Sequence, residues 1–156
     1  MGCWIDFWVK MGGIKKYKIL DKVAIADIAF EAYGKDYNEL FQNCALALFE
    51  MAVDISTLNS IIKKEIKLEA DSIENLLYDF LSEVLYLKDA EQLIFAESYV
   101  EIQEKSNKYQ LMAILKGDEI NAEMQKLEND IKAITMHMFK IEKARKGYKA
   151  TVVVDI

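Results

Sequence analysis

The strongest constraint on the fold lies in the last residues of the sequence, where a strand-like run leads into Asp155 and Ile156. The run 148–154 contains one threonine and three consecutive valines, residue types that favour β-strands because their branched side chains pack well on a pleated surface. Asp155 and Ile156 follow, so a side-chain carboxylate and an α-carboxylate lie next to each other. Most chain ends are polar and poorly ordered. This one is predicted to be a strand held in a sheet.

A second acidic residue, Asp27, lies in an unusually apolar segment. Residues 23–30 read VAIADIAF, and in a single strand Asp27 shares its face with Ile25 and Ala29. An Asp inside a strand is disfavoured by β-propensity and by the cost of desolvation. One interpretation is a partly exposed strand or a structural Asp with satisfied hydrogen bonds. The other is that Asp27 meets Asp155 and the terminus of Ile156 around one cation.

The chemistry of this trio predicts the class of ion. Carboxylates drawn toward a protein interior need a compensating partner. Three oxygen donors without a sulfur or nitrogen ligand favour Ca²⁺, or another hard divalent cation such as Mg²⁺ or Mn²⁺, over zinc. The residues alone therefore predict an acidic domain with a metal site at Asp27, Asp155 and Ile156.

The charge balance argues against a protein that grips nucleic acid. The chain has 26 acidic and 20 basic residues and a formal net charge of −6. Its tight basic clusters, 63–64 and 143–146 among them, are short, whereas phosphate binding calls for a basic face. No strong direct nucleic-acid binding is expected, and docking on a basic partner is favoured. No stretch approaches the roughly 20 apolar residues of a transmembrane helix, so no membrane association is expected.

The domain organisation is predicted to be one domain behind a short extension. Residues 1–13 have no basic start, and Asp6 interrupts their apolar stretch, so they make a poor signal peptide. They are expected to be an N-terminal extension or a start-site artefact, because Met11 offers a second start, and 14–156 form the domain. Cys3 and Cys44 are too few for a disulfide framework, and a cytoplasmic location is expected.

Hydrophobic periodicity predicts an α+β fold with mostly antiparallel strands and two main amphipathic helices. Asp36 is expected to cap a helix that runs to about Val53, and Asp71 or Ser72 to cap a second helix. Period-two segments predict strands within 17–34, 58–70, 93–103, 109–116, 131–142 and 148–156, with turns at Ser106-Asn107 and Gly147 and a helical turn within 122–127.

An ordered set of motifs resembles the archease family over about residues 17–156. The motifs are ADIAFEAYG at 26–34, ALALF at 45–49, EAD at 69–71, LLYDFL at 76–81, LYLKD at 85–89, IKAITMH at 131–137 and VVDI at 153–156. Archeases usually carry His-Thr where this chain has Ala24 and Ile25, and an acidic or amide residue where it has Met138. These departures predict altered geometry or partner contacts around the metal site.

The resemblance implies an accessory factor of the RtcB-type RNA ligase, which joins tRNA exon halves in tRNA splicing. Such factors promote guanylylation of the ligase and its multiple turnover, and are not themselves enzymes. The metal-binding positions of the family map onto Asp27, Asp155 and Ile156. His137, the only histidine, and Lys132 are candidates for contacts with the ligase or with phosphate. Otherwise they are a half-buried structural histidine and a surface strand lysine.

Two other functions stay open from the sequence. One is a stand-alone metal-dependent phosphotransferase or hydrolase that uses the same carboxylates, although the chain contains no Gly-rich phosphate loop and no HExxH motif. The other is a chaperone-like protein-binding module without chemistry. A phosphatase or nucleotidase screen distinguishes the first, and metal-independent binding to many clients would favour the second.

Overall fold

The structure, a computed structural model, describes residues 10–11, 14–24 and 27–156, with side chains described for 16–20 and 27–156. Its helices are α1 (Tyr37–Ala52) and α2 (Ile73–Glu91), and a short 3-10 helix spans Ile55–Thr57. Its strands are β1 (Lys10–Met11), β2 (Ile14–Lys15), β3 (Tyr17–Ala24), β4 (Asp27–Gly34), β5 (Ile62–Ala70), β6 (Leu93–Lys105), β7 (Lys108–Glu119), β8 (Ala133–Ala144) and β9 (Gly147–Asp155). The predicted α+β fold is confirmed.

The strands pair antiparallel, and the last of them lies inside a sheet. The described strands form a four-stranded sheet in the order β3-β4-β9-β8, a three-stranded sheet in the order β5-β7-β6, and the small pair β1-β2. Because β9 has a neighbour on each side, both of its edges are hydrogen-bonded. Val152, Val153 and Val154 are fully buried. The terminal run is therefore a central strand, as its β-branched residues predict.

The helices begin where their capping residues predict. Asp36 accepts a hydrogen bond from the amide of Glu39 at 2.8 Å, and Glu39 accepts one from the amide of Lys35 at 3.0 Å. Ser72, rather than Asp71, caps α2 by accepting from the amide of Asn75 at 3.1 Å. Each side chain satisfies an amide that has no partner within its helix.

The apolar faces of both helices pack on the two larger sheets. The rings of Phe41 on α1 and Phe80 on α2 stack at 6.0 Å between centroids. Cys44 is a free cysteine in this core, and burial raises the pKa of its thiol. Neither helix of the described part of the chain is long and apolar enough to cross a membrane.

Two local predictions differ from the structure. Asp27 does not lie inside a strand that runs through 23–30, because β3 ends at Ala24, β4 begins at Asp27, and these two residues pair with each other. Asp27 is therefore the first residue of a strand, where a charged side chain is better tolerated than in its interior. The strand predicted within 58–70 begins later, at Ile62, because the 3-10 helix and a connecting segment precede it.

The turns follow the sequence more closely. Ser106 and Asn107 both have positive φ values, as a tight β-hairpin turn requires. Gly147 has φ +125° and begins β9 just after the turn, and an added Cβ there would lie 2.2 Å from the carbonyl oxygen of Gly34. A single hydrogen-bonded turn occurs at 122–124. The boundary predicted at residue 13 stays a prediction, because residues 1–9, 12 and 13 lie outside the described part.

Candidate metal centre

Asp27 and Asp155 form a directly opposed pair in the antiparallel ladder between β4 and β9. Side chains opposed in this way project from the same face, with Cβ atoms about 4.5–5.5 Å apart. Both residues are partly exposed. Among the described residues neither carboxylate has a hydrogen-bond or ion-pair partner. The fold thus places two carboxylates side by side.

The main chain around Asp155 is fixed on both sides. Asp155 opposes Ala133 of β8 as well as Asp27, and its carbonyl oxygen accepts a hydrogen bond from the amide of Lys132 at 2.8 Å. The side chain of Ile156 is half-buried and packs against the hydrophobic core. The residue that carries the third predicted donor is therefore anchored next to the opposed pair.

The surroundings make uncompensated charge costly at this place. Ala29 and Val153, each two residues from a carboxylate on the same strand face, are fully buried outside the main hydrophobic cluster. Thr135, which opposes Val153 on β8, has a buried hydroxyl oxygen without a hydrogen-bond partner. Charges beside such an apolar surface are screened less than charges that are fully surrounded by water.

These residues fit a hard cation, provided that more than side chains coordinate it. Carboxylate oxygens are the ligands that Ca²⁺ and Mg²⁺ prefer, and a cation would relieve the repulsion between Asp27 and Asp155. No cluster of three or more His, Cys, Asp and Glu side chains suited to a metal occurs among the described residues. A further oxygen ligand would therefore have to be of another kind, and the carboxylate predicted at Ile156 follows directly after Asp155 in the sequence.

Comparison with known proteins identifies the family. Residues 17–156 match the model of the Archease protein family (MTH1598/TM1083). The chain belongs to the archease family. The protein archease of Archaeoglobus fulgidus is 43% identical over 142 residues, which cover 90% of this chain and 99% of that relative.

Solved archease structures share the fold. The solution structure of Methanobacterium thermoautotrophicum protein 1598 has a TM-score of 0.79 and 32% identity, and the match covers 92% of this chain and 100% of that one. The crystal structure of an archease from Thermotoga maritima has a TM-score of 0.56 and 23% identity over 85% of this chain and 93% of its own, which supports the fold alone. None of these three names assigns an enzymatic activity.

This archease departs from the usual family residues next to the opposed pair. Ala24, at the place of the usual His, is the residue that opposes Asp27 on β3. Ile25, at the place of the usual Thr, lies outside the described residues. That these two departures alter the geometry of the metal site stays a prediction. It is supported by the position of Ala24, which lies directly opposite Asp27.

Lys132 and His137 are both exposed, but only Lys132 has a main-chain contact with Asp155. Lys132 is exposed and lies just before β8, with its amide bound to Asp155. His137 is also exposed, so its interpretation as a half-buried histidine is wrong. The register between β8 and β9 shifts between Thr135 and Lys140, and Met138 adopts a positive φ of 59°, so strand alternation does not continue through His137.

Sequence reasoning missed two residues near the site. The hydroxyl of Thr135 gives no signal in an alternating strand. Lys88 contacts the segment before β8 although it lies 42 positions away from Asp130. The one available signal is that Lys88 follows buried Val84 by four residues, which places an ammonium group on the apolar stripe of α2.

Proposed function

We propose that this archease activates an RtcB-type RNA ligase by promoting its guanylylation and multiple turnover. We further propose that Asp27, Asp155 and the α-carboxylate of Ile156 hold a hard divalent cation, Ca²⁺ first among them, for this purpose. The observation that carries the proposal is the directly opposed pair of Asp27 and Asp155 at the end of β9. Family membership supports the ligase as the partner, because the resemblance of the sequence implies that role.

The position of each residue suggests its part in the proposed function. A bound cation supplies positive charge that can organise phosphate oxygens. Asp27 and Asp155 hold it from two adjacent strands, and the packed side chain of Ile156 keeps the end of β9 in place. Lys132 and His137 are exposed and are proposed to contact the ligase or its phosphates. The acidic pair Asp27 and Asp155, at the end of β9, is proposed to face a basic surface on the partner.

The experiment combines the protein with its host's RNA ligase at a limiting ligase concentration. Wild-type protein should sustain many rounds of ligation and accelerate guanylylation. Asp27→Ala and Asp155→Ala should each reduce the guanylylation rate by about tenfold or more, because each removes an ion ligand rather than an outer contact. Asp79→Ala is the matched control, since Asp79 is exposed on α2. If both site variants activate like the wild type, the carboxylates have no activating role.

A second candidate function is protein binding without metal. The Thermotoga maritima structure is described as that of a possible chaperone. Met136 and Met138 are 60% and 50% exposed on β8, and flexible methionines suit varied protein partners. Binding of the ligase that persists in a chelator, with no change in its guanylylation, would favour this function. Suppression of aggregation of unrelated proteins would support it further.

A further inference from the structure

Lys88 lies in the last turn of α2 and is bound to the segment that precedes β8. Its Nζ atom donates hydrogen bonds to the carboxylate of Asp130 at 2.8 Å and to the carbonyl oxygen of Ile131 at 2.7 Å. Only 13% of the side chain is exposed. A cation in the last turn of a helix is also stabilised by the helix dipole. Lys88 is thus a largely buried lysine with two hydrogen-bond partners, and not a solvated surface lysine.

The carbonyl that Lys88 binds belongs to a peptide unit that also holds Asp155. The C=O of Ile131 and the N–H of Lys132 are the two polar groups of one peptide. Lys88 donates to the first, and the second donates to the carbonyl oxygen of Asp155 at 2.8 Å. A peptide is planar, so fixing its carbonyl also fixes the direction of its N–H. A charged donor on the carbonyl polarises the peptide and strengthens the N–H as a donor.

The neighbouring residues keep this peptide in place but do not replace the ammonium group. Ile131 is fully buried, and the amide and side-chain nitrogen of Asn129 both donate to the carbonyl of Met51 at 3.0 Å. These contacts fix the segment against the core and α1. Among the described residues, Lys88 provides the only hydrogen bond to the carbonyl of Ile131. Its loss therefore leaves the carbonyl oxygen without a donor, and only the N–H of Lys132 then fixes the orientation of that peptide.

We propose that Lys88 is a positioning residue of the metal centre. Through the Ile131–Lys132 peptide it sets the main chain of Asp155, and with it the direction in which the carboxylates of Asp155 and Ile156 face Asp27. Lys88 does not touch the ion. The part of this inference that concerns metal affinity rests on the proposed function, whereas the part that concerns the peptide does not.

The first test measures hydrogen exchange of the Lys132 amide by NMR in the metal-free protein. Lys88→Met keeps the apolar stem and removes the donor, and should accelerate exchange of this amide by about tenfold or more relative to the Val152 amide in the middle of β9. Lys88→Arg should restore protection, because a guanidinium can reach both oxygens. Lys64→Met is the control, since it removes the ion pair with Glu91 on another part of the fold.

The outcome of this exchange experiment decides the inference without metal. Unchanged exchange of Lys132 in Lys88→Met would overturn it. If that variant does not fold, Lys88→Gln, whose amide is too short to make both contacts, carries the same expectation. A parallel loss of protection at Val152 and Lys132 in every variant would mean general destabilisation, and would also overturn a positioning role.

The second test measures Ca²⁺ affinity of the same variants by calorimetry. Lys88→Met should bind Ca²⁺ about 10–100-fold more weakly than the wild type, with recovery in Lys88→Arg, as for residues that orient metal ligands. Faster amide exchange with unchanged affinity would overturn the positioning role. A wild-type protein that binds no Ca²⁺, Mg²⁺ or Mn²⁺ would contradict the proposed metal site instead, while the exchange result would still decide whether Lys88 sets the peptide.

Discussion

Asp27 and Asp155 face each other as the pair that closes the ladder between β4 and β9. Like charges directly opposed across two strands destabilise a sheet, and neither carboxylate has a partner among the described residues. Proteins break such local rules most often at functional sites, where a ligand compensates for the cost. The proposed ion would offset the repulsion between these two carboxylates.

The repulsion between the two carboxylates predicts that a substitution that removes one of their charges stabilises the metal-free protein. Asp155→Asn removes one of the two opposed charges, and should raise the free energy of unfolding in a chelator by about 0.2–1 kcal/mol. Urea denaturation measures this directly. Asp79→Asn, on exposed α2 surface, should change little. With saturating Ca²⁺ the order should reverse, because the wild type then gains binding energy. A less stable Asp155→Asn protein in the chelator would contradict the account.

The sequence predicted that Asp27 and Asp155 meet, but it misplaced the strand that carries Asp27. The β-branched run before Asp155 predicted a buried strand, and the same chemistry singled out Asp27. The prediction that it lies inside one strand was wrong because one strand ends at Ala24 and the next begins at Asp27, and no Gly, Pro or Asn in residues 23–30 marks that boundary. No sequence pattern fixes the ladder in which residues 27 and 155 become opposed.

The wrong prediction at His137 and the missed contact of Lys88 have different causes. Alternation predicted a half-buried His137, but the shift between β8 and β9 interrupts the period of two at that point. The contact of Lys88 with Asp130 joins residues from separate parts of the chain, so only the tertiary fold brings them together. Periodicity describes a single element and carries no information on such pairs.

Gly147 should be hard to replace. Its φ of +125° suits only glycine, and an added Cβ would lie 2.2 Å from the carbonyl oxygen of Gly34. Gly147→Ala should therefore lower the free energy of unfolding by more than about 1 kcal/mol. Lys146→Ala in the adjacent turn should change it by less than about 0.5 kcal/mol. Equal stability of the two variants would show that the turn adjusts freely.

Stability should fall at alkaline pH through Tyr17. This residue is fully buried and donates a hydrogen bond to Glu50 at 2.5 Å, and burial, with Glu50 second, raises the pKa of Tyr17 above its ordinary value of 10.0. Above pH 10 the unfolded chain ionises Tyr17 while the native state keeps its proton. The free energy of unfolding should then fall by up to about 1.4 kcal/mol per pH unit from this group.

A comparison with Tyr17→Phe isolates that effect from the titration of lysines. The variant lacks the hydrogen bond to Glu50 and should be about 1 kcal/mol less stable at pH 8. It should lose stability less steeply than the wild type between pH 10 and 11. Parallel urea denaturation curves for the two proteins across this range would contradict the assignment to Tyr17.

Lys132 should affect the ligase without affecting the ion. Its side chain is exposed, whereas the contact that holds Asp155 is made by its amide, which every substitution except proline keeps. Lys132→Gln should leave Ca²⁺ affinity and unfolding unchanged within about 0.5 kcal/mol and slow guanylylation of the ligase. His137→Ala is expected to behave in the same way. Full ligase activation by both variants would remove these residues from the proposed partner surface.

The most direct test of the account is a calorimetric Ca²⁺ titration of the wild type and of a variant with one glycine added after Ile156. The added residue turns the α-carboxylate of Ile156 into an amide and leaves both aspartates in place. The account predicts one Ca²⁺ per wild-type chain and an affinity at least about tenfold lower in the extended variant and in Asp155→Asn. Equal binding by all three proteins, or no binding by the wild type of Ca²⁺, Mg²⁺ or Mn²⁺, would contradict a metal centre built from these carboxylates.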